Sequence, residues 1–107
     1  MIYNHLGKSG LKVSQLCLGT MLFGKETNAR DSQMIIASAL DNGVNFIDTA
    51  DAYVAGESEK LIGRLIKANR NEWVLATKLA NKMNAAPHSG GLSRKWILEA
   101  CDNSLRR

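Results

Sequence analysis

Three side chains of the types that hold and move protons stand at short, regular intervals: Asp48, Tyr53 and Lys78. They supply a carboxylate, a phenol and an amine, all groups that serve in acid–base work. Val44, Phe46 and Ile47 lead into Asp48, and Trp73, Val74, Leu75 and Ala76 lead through Thr77 into Lys78. Short apolar runs bounded by turn signals read as strands buried on both faces of a parallel sheet. A charged residue at the exit of such a strand lies on the rim of the sheet, where α/β folds carry their chemistry.

A third run, Ser14 to Thr20, is apolar at Leu16, Cys17 and Leu18 and ends in a Gly-Thr turn. Thr20, Asp48 and Lys78 are then 28 and 30 residues apart, one strand-plus-helix unit each. The intervening segments have helical signals. From an N-cap at Asn28 or Asp31 to Asn42, Ile35, Ile36, Ala39 and Leu40 fall on one face, and Gly43 supplies a left-handed stop. Ser58 can cap a second helix, with Glu59 in its first turn and Leu61, Ile62, Leu65 and Ile66 as its apolar stripe. Ser93 can cap a third, carrying Trp96, Ile97, Ala100 and Leu105. The order is βαβαβα, a parallel α/β architecture with its polar strand ends on one rim.

Before it, Leu6 to Leu11 is a Gly-bracketed turn between two β-prone runs and reads as a β-hairpin with a structural role. The layout is therefore a hairpin over 1–13 and three βα units over 14–107. At 107 residues the chain is short for a (β/α)₈ barrel, which typically takes about 250. The last helix reaches Arg106-Arg107 without a stop signal, so the expectation is the N-terminal part of a larger single domain. The sheet edge beside the strand ending in Lys78 would then be open. Leu16, Leu18, Phe46, Ile47, Val74 and Ala76 would lack a packing partner on the inner face, and self-association through that edge is expected. Pro87 and Gly90-Gly91 mark residues 81–91 as the most flexible stretch, a loop on the rim that carries the charged groups.

Composition excludes several classes. Hydrophobic residues make 45% and charged residues 22%, ordinary values for a globular domain. No apolar run reaches the roughly 18 residues of a membrane span. The start, Met1 to His5, lacks the build of a signal peptide. Cys17, in a strand, and Cys101, in a helix, read as buried thiols in a reducing cytoplasm, with no ligand spacing for a metal. The net charge of +4 comes from scattered basic residues without interleaved aromatics, so nucleic acid is not the expected partner.

Four motifs in register carry a resemblance: Leu18 to Gly24, Gly43 to Tyr53, Gly56 to Glu59 and Ala76 to Lys78. Together they resemble the N-terminal signatures of the aldo-keto reductases. The stretch Ser89 to Ile97 is similar to the bacterial and potassium-channel β-subunit-like branch of that family. The likeness spans essentially the whole chain. It implies a (β/α)₈ TIM barrel with an N-terminal hairpin, reducing aldehydes and ketones with NADP(H). By that resemblance Tyr53 is the proton donor. Lys78 favours its phenolate, and Asp48 keeps the lysine charged and oriented. Gly19, Thr20 and Met21 would face the nicotinamide and ribose, which Asp48 also approaches. The family's further histidine, at the end of a fourth strand, would lie beyond Arg107, and neither His5 nor His88 matches it.

Each residue also has a plain structural reading. Asp48 can form an Asx-turn, Lys78 can be a rim lysine and Tyr53 a half-buried amphipathic side chain. Gly56 and Gly63 read as turn and packing glycines, since no G-x-G-x-x-G follows a strand. Val54-Ala55 departs from the pattern of relatives, which often carry Gly or polar residues there. Two other functions fit the same fold: a nucleotide-holding regulatory subunit, and a Schiff-base lyase using Lys78 as nucleophile. The latter ranks last, because an amine paired with Asp48 stays charged.

Overall fold

Asn28, Gly43 and Ser93 set the frame of the computed structural model, which describes residues 1–107. Five strands and three α-helices alternate: β1 (Tyr3–His5), β2 (Lys12–Ser14), β3 (Leu18–Gly19), α1 (Ala29–Asp41), β4 (Phe46–Asp48), α2 (Glu57–Leu65), β5 (Val74–Ala76) and α3 (Arg94–Arg106). β1 and β2 form the antiparallel hairpin, with Asn4 opposite Val13. β3, β4 and β5 form a parallel sheet in sequence order. Leu18, Ile47 and Leu75 lie side by side across it, and so do Gly19, Asp48 and Ala76.

The hairpin is stitched to the N-terminal end of β4, away from Asp48. Ser14 donates its backbone N–H to Asn45 Oδ1 (2.7 Å), Asn45 Nδ2 donates to the Lys12 carbonyl (3.0 Å), and the Tyr3 hydroxyl donates to the Gly43 carbonyl (2.7 Å). These bonds shorten the first parallel strand. Ser14 pairs in the hairpin, and Gln15 donates to Ile2, so the run from Ser14 to Thr20 yields only Leu18–Gly19 as strand. Cys17 accordingly lies outside any strand and is exposed. Cys101 is in α3 as expected but is also exposed, one residue round the helix from buried Ala100. The expectation of buried thiols is corrected at both positions.

One face of the sheet is covered by helices. Ile47, Ile62 and Ile66 are fully buried there with Phe23, Ile36, Val44, Leu61 and Trp73, and Leu18 and Leu75 pack against them. Alternation along each strand turns Phe46, Asp48, Val74 and Ala76 to the opposite face, where they are only partly buried. The expected two-sided burial is thus one-sided. Ile47 and Leu18, expected on the inner face, belong to the helix face.

Asn28, the first of the two capping residues considered, starts α1 by accepting from the Asp31 N–H (2.9 Å). Gly43, at φ +81°, closes it in the left-handed conformation that a Cβ disfavours. Ser93 Oγ caps α3, accepting from the Trp96 N–H (3.2 Å). α2 departs from expectation: Gly56 (φ +94°) precedes it, and Ser58 lies buried inside its first turn. On α3, Trp96 and Ala100 are buried, but Ile97 is partly exposed and Leu105 is 81% exposed. Residues 81–91 form a tied loop rather than a loose one. The Ser89 hydroxyl donates to the carbonyls of Asn84 (2.7 Å) and Ala86 (2.9 Å), and Gly91 N–H donates to the Ala80 carbonyl (2.8 Å). A Cβ on Gly90 would stand 2.8 Å from Lys82 Cα, so the loop closes only over glycine.

Candidate active site

Strand register brings Asp48 and Lys78 together. Asp48 ends β4 beside Ala76 of β5, and Lys78 lies two residues further on the same side of the pleat. Lys78 Nζ donates to Asp48 Oδ2 (2.6 Å) and to the Thr49 carbonyl (2.9 Å). Burial alone would pull the lysine pKa down. Asp48, by its hydrogen bond and charge, and the adjacent Tyr53 outweigh it, and the value is raised above the ordinary lysine range.

Tyr53 arrives through a turn fixed to both strand ends. Thr49 N–H donates to the Ala76 carbonyl (2.9 Å), Asp51 N–H to the Lys78 carbonyl (3.0 Å) and Tyr53 N–H to the Ala50 carbonyl (3.1 Å). The phenol ring then sits with its centroid 5.0 Å from Lys78 Nζ. A single turn, Tyr53–Gly56, follows. Its central residues Val54 (φ 50°) and Ala55 (φ 53°) are left-handed, a conformation costly for a residue with a Cβ and most of all for a β-branched one. Val54 and Ala55 therefore carry the strain of this turn. They line an apolar hollow of about 570 Å³ with Met21, Leu22, Ala52 and Tyr53.

Of the four residues expected at a cofactor, the three beyond Asp48 separate into two groups. Gly19 lies opposite Asp48, and a Cβ there would meet nothing within 4 Å, so the ground beside the carboxylate is clear. Met21 is 61% exposed on the same rim. Thr20 is turned inward and buried. Its hydroxyl donates to the Asp48 carbonyl (3.0 Å), and its own carbonyl accepts from Ser58 Oγ (2.9 Å). Thr20 fastens the end of β3 to β4 and α2. His5, on the hairpin, and His88, on the tied loop, are both exposed.

Sequence reasoning missed a buried ionic group behind the rim. Glu59 is 7% exposed and accepts from Thr77 Oγ1 (2.6 Å) and Arg107 Nε (2.6 Å). Arg107 lies over two glycines: a Cβ at Gly56 would stand 3.1 Å from its Cδ, and one at Gly63 would stand 3.1 Å from its carbonyl oxygen. Gly56, Glu59 and Gly63 recur at i, i+3 and i+7, one helix face, and that spacing was the available signal. Asp51 is 1% exposed, with neither carboxylate oxygen hydrogen-bonded. Burial first, and then the charge of Glu59, push its pKa up, with the charge of Arg107 opposing them. No three His, Cys, Asp or Glu side chains converge as metal ligands, and no helix is long and apolar enough to cross a membrane.

A parallel βα succession that gathers a carboxylate and an amine at the C-terminal strand ends is the arrangement of the α/β folds that carry their site on that rim. Residues 15–107 match the model of the aldo/keto reductase family, and the chain belongs to that family. It is 39% identical over 111 residues to a probable voltage-gated potassium channel subunit beta of Arabidopsis thaliana, aligned over its whole length and 34% of the relative. It is 40% identical over 119 residues to an uncharacterized oxidoreductase of Bacillus subtilis, covering 36% of that protein. A solved structure of an aldo-keto reductase from Bacillus halodurans, in its holo form, superimposes with a TM-score of 0.85 at 35% identity, over 99% of this chain and 36% of that one. The chain spans 34–36% of the length of these relatives.

Proposed function

We propose that this chain carries the proton-donating centre of an NADP(H)-dependent oxidoreductase that reduces aldehydes or ketones to alcohols. The observation that carries the reading is one ammonium, Lys78 Nζ, lying 2.6 Å from Asp48 and 5.0 Å from the Tyr53 ring on the open rim. Carbonyl reduction needs a hydride on carbon and a proton on oxygen, and bound NADP(H) supplies the hydride. Tyr53 gives its phenolic proton to the oxygen. Lys78 stabilises the phenolate left behind, and Asp48 keeps Lys78 charged and in place. Gly19, with clear ground around it opposite Asp48, and the exposed Met21 would hold the nicotinamide end of the cofactor. Thr20 shapes that surface from beneath.

The reading is tested with a simple aldehyde and NADPH, in the protein completed through its remaining barrel units. Tyr53→Phe should lower kcat by about 10²- to 10⁴-fold, the usual worth of a general acid, while cofactor binding is kept. Undiminished turnover in that variant overturns the assignment. The 107-residue chain alone is expected to be inactive.

The likeness to a probable potassium channel subunit beta is consistent with a second reading, a nucleotide-holding regulatory subunit of the same fold. Aldehyde turnover separates the two. A Schiff-base lyase stands behind both, because the raised Lys78 pKa leaves the amine charged and non-nucleophilic; borohydride trapping on Lys78 would revive it. The expected partner is a small carbonyl compound, with no nucleic acid or membrane. We assign the protein to the cytoplasm, whose reducing conditions suit two exposed, unpaired thiols.

A further inference from the structure

We propose that Arg107, acting through Glu59 and Thr77, is a positioning residue that sets Lys78 against Tyr53. The inference rests on the catalytic reading given above for Tyr53 and Lys78. Lys78 and Asp48 expose 49% and 40% of their side chains, so packing does not fix the lysine. Its position depends on the backbone that carries it, and the residue before it is anchored by the bond from Thr77 Oγ1 to Glu59 Oε1. Glu59 Oε2 is held in turn by Arg107 Nε, both at 2.6 Å. The same arginine lies against Gly56, the residue that closes the turn beginning at Tyr53. One guanidinium therefore touches the far end of the Tyr53 turn and, through one carboxylate, the near end of the Lys78 segment.

The chemistry of these groups suits the task. A guanidinium is planar and permanently charged, and its donors have a fixed geometry. A carboxylate accepting two charge-assisted or short bonds in a nearly buried site has little freedom left. Such buried pairs are poor evidence of stability and serve better to specify one arrangement. The absence of a Cβ at Gly56 and Gly63 gives the arginine its seat, and nothing longer than glycine fits at those approaches without displacing it.

The test follows the Lys78 ammonium by ¹⁵N NMR in the 107-residue chain, with Thr77→Val as the main variant. Thr77 is exposed, and valine keeps its shape while removing only the hydroxyl. The Lys78 titration should move down toward that of an ordinary lysine in Thr77→Val and in Arg107→Lys, and return in Thr77→Ser. In the completed protein the same two variants should lower kcat by about 10- to 100-fold with KM for cofactor unchanged, the scale of a small misplacement. An unmoved Lys78 titration in both variants overturns the proposal. An unfolded Thr77→Val chain overturns it too, since Thr77 would then be a folding contact. If Tyr53→Phe retains full turnover while Thr77→Val still shifts Lys78, the catalytic reading fails and the positioning link stands.

Discussion

Lys78 meets Tyr53 at the ring, with Nζ 5.0 Å from the centroid, while its short hydrogen bonds go to Asp48 Oδ2 and the Thr49 carbonyl. An ammonium within about 6 Å of an aromatic face is attracted to it, most strongly where water is scarce. The lysine is thus held from the β4 side and offers its remaining field to the phenol. Tyr53 itself lines the hollow bounded by Met21 and Val54.

Lys78→Met separates chemistry from stability. The Asp48–Lys78 pair is about half exposed, and such pairs contribute less than about 1 kcal/mol. In the completed protein the variant should lose the proposed carbonyl reduction, while the melting temperature changes by only a few degrees. The small stabilisation has a defined pH dependence. Because the folded-state pKa of Lys78 is raised, the contribution is fully present below the unfolded lysine value and is lost as pH rises through the folded one. Thermal melts across the alkaline range should show this loss in the parent and not in the variant.

Val54→Gly should stabilise the chain. Val54 is a β-branched residue at φ 50°, ψ 41°, and left-handed backbone costs an L-residue about 1–2 kcal/mol. Glycine gives back roughly 0.5–1 kcal/mol through its freer unfolded state, which leaves a net gain of up to about 1.5 kcal/mol. Urea unfolding should move to a higher midpoint at unchanged slope. A lower midpoint would mean that the valine side chain on the hollow contributes more than its backbone costs.

Asp51→Asn should raise stability at neutral pH. The carboxyl is buried without a partner, and its folded pKa lies above the unfolded value. The folded state therefore binds the proton more tightly, and stability falls as pH rises from the unfolded carboxyl value through the raised folded one. Glu59 and Arg107, the charged neighbours, act on it in opposite directions. The asparagine variant should lack this fall and melt at a higher temperature at pH 7. A lower melting temperature throughout would show that the carboxylate has a favourable role in the folded state.

The 107-residue chain should self-associate. β3 and β5 are the edges of a three-stranded sheet, and the open face carries partly buried Phe46 and Val74. Leu16, Met21 and Leu22 are exposed as well. Unpaired edges and contiguous apolar surface favour pairing with a second copy. Sedimentation velocity should show dimers or larger species, and Val74→Lys should shift them toward monomer. A monomer at all concentrations would mean that the open face is content in water.

The hairpin, the caps at Asn28 and Ser93, the stop at Gly43 and the placing of Asp48 and Lys78 at strand ends were all legible in the sequence. These depend on backbone groups satisfied within a few residues and on the period of the pleat, and both are written locally. Tertiary structure decided the rest. Thr20 turns inward because the Asp48 carbonyl and Ser58 offer it partners from two other elements. Ser58 leaves the cap to Gly56 for the same reason. Glu59 and Arg107 are 48 residues apart and meet only where α3 returns over the glycine face of α2. Whether a polar side chain is paired, orphaned or exposed depends on what distant chain segments bring beside it. No local pattern could assign Asp51 its buried site, or leave Cys17 and Cys101 in solvent, before those segments had packed.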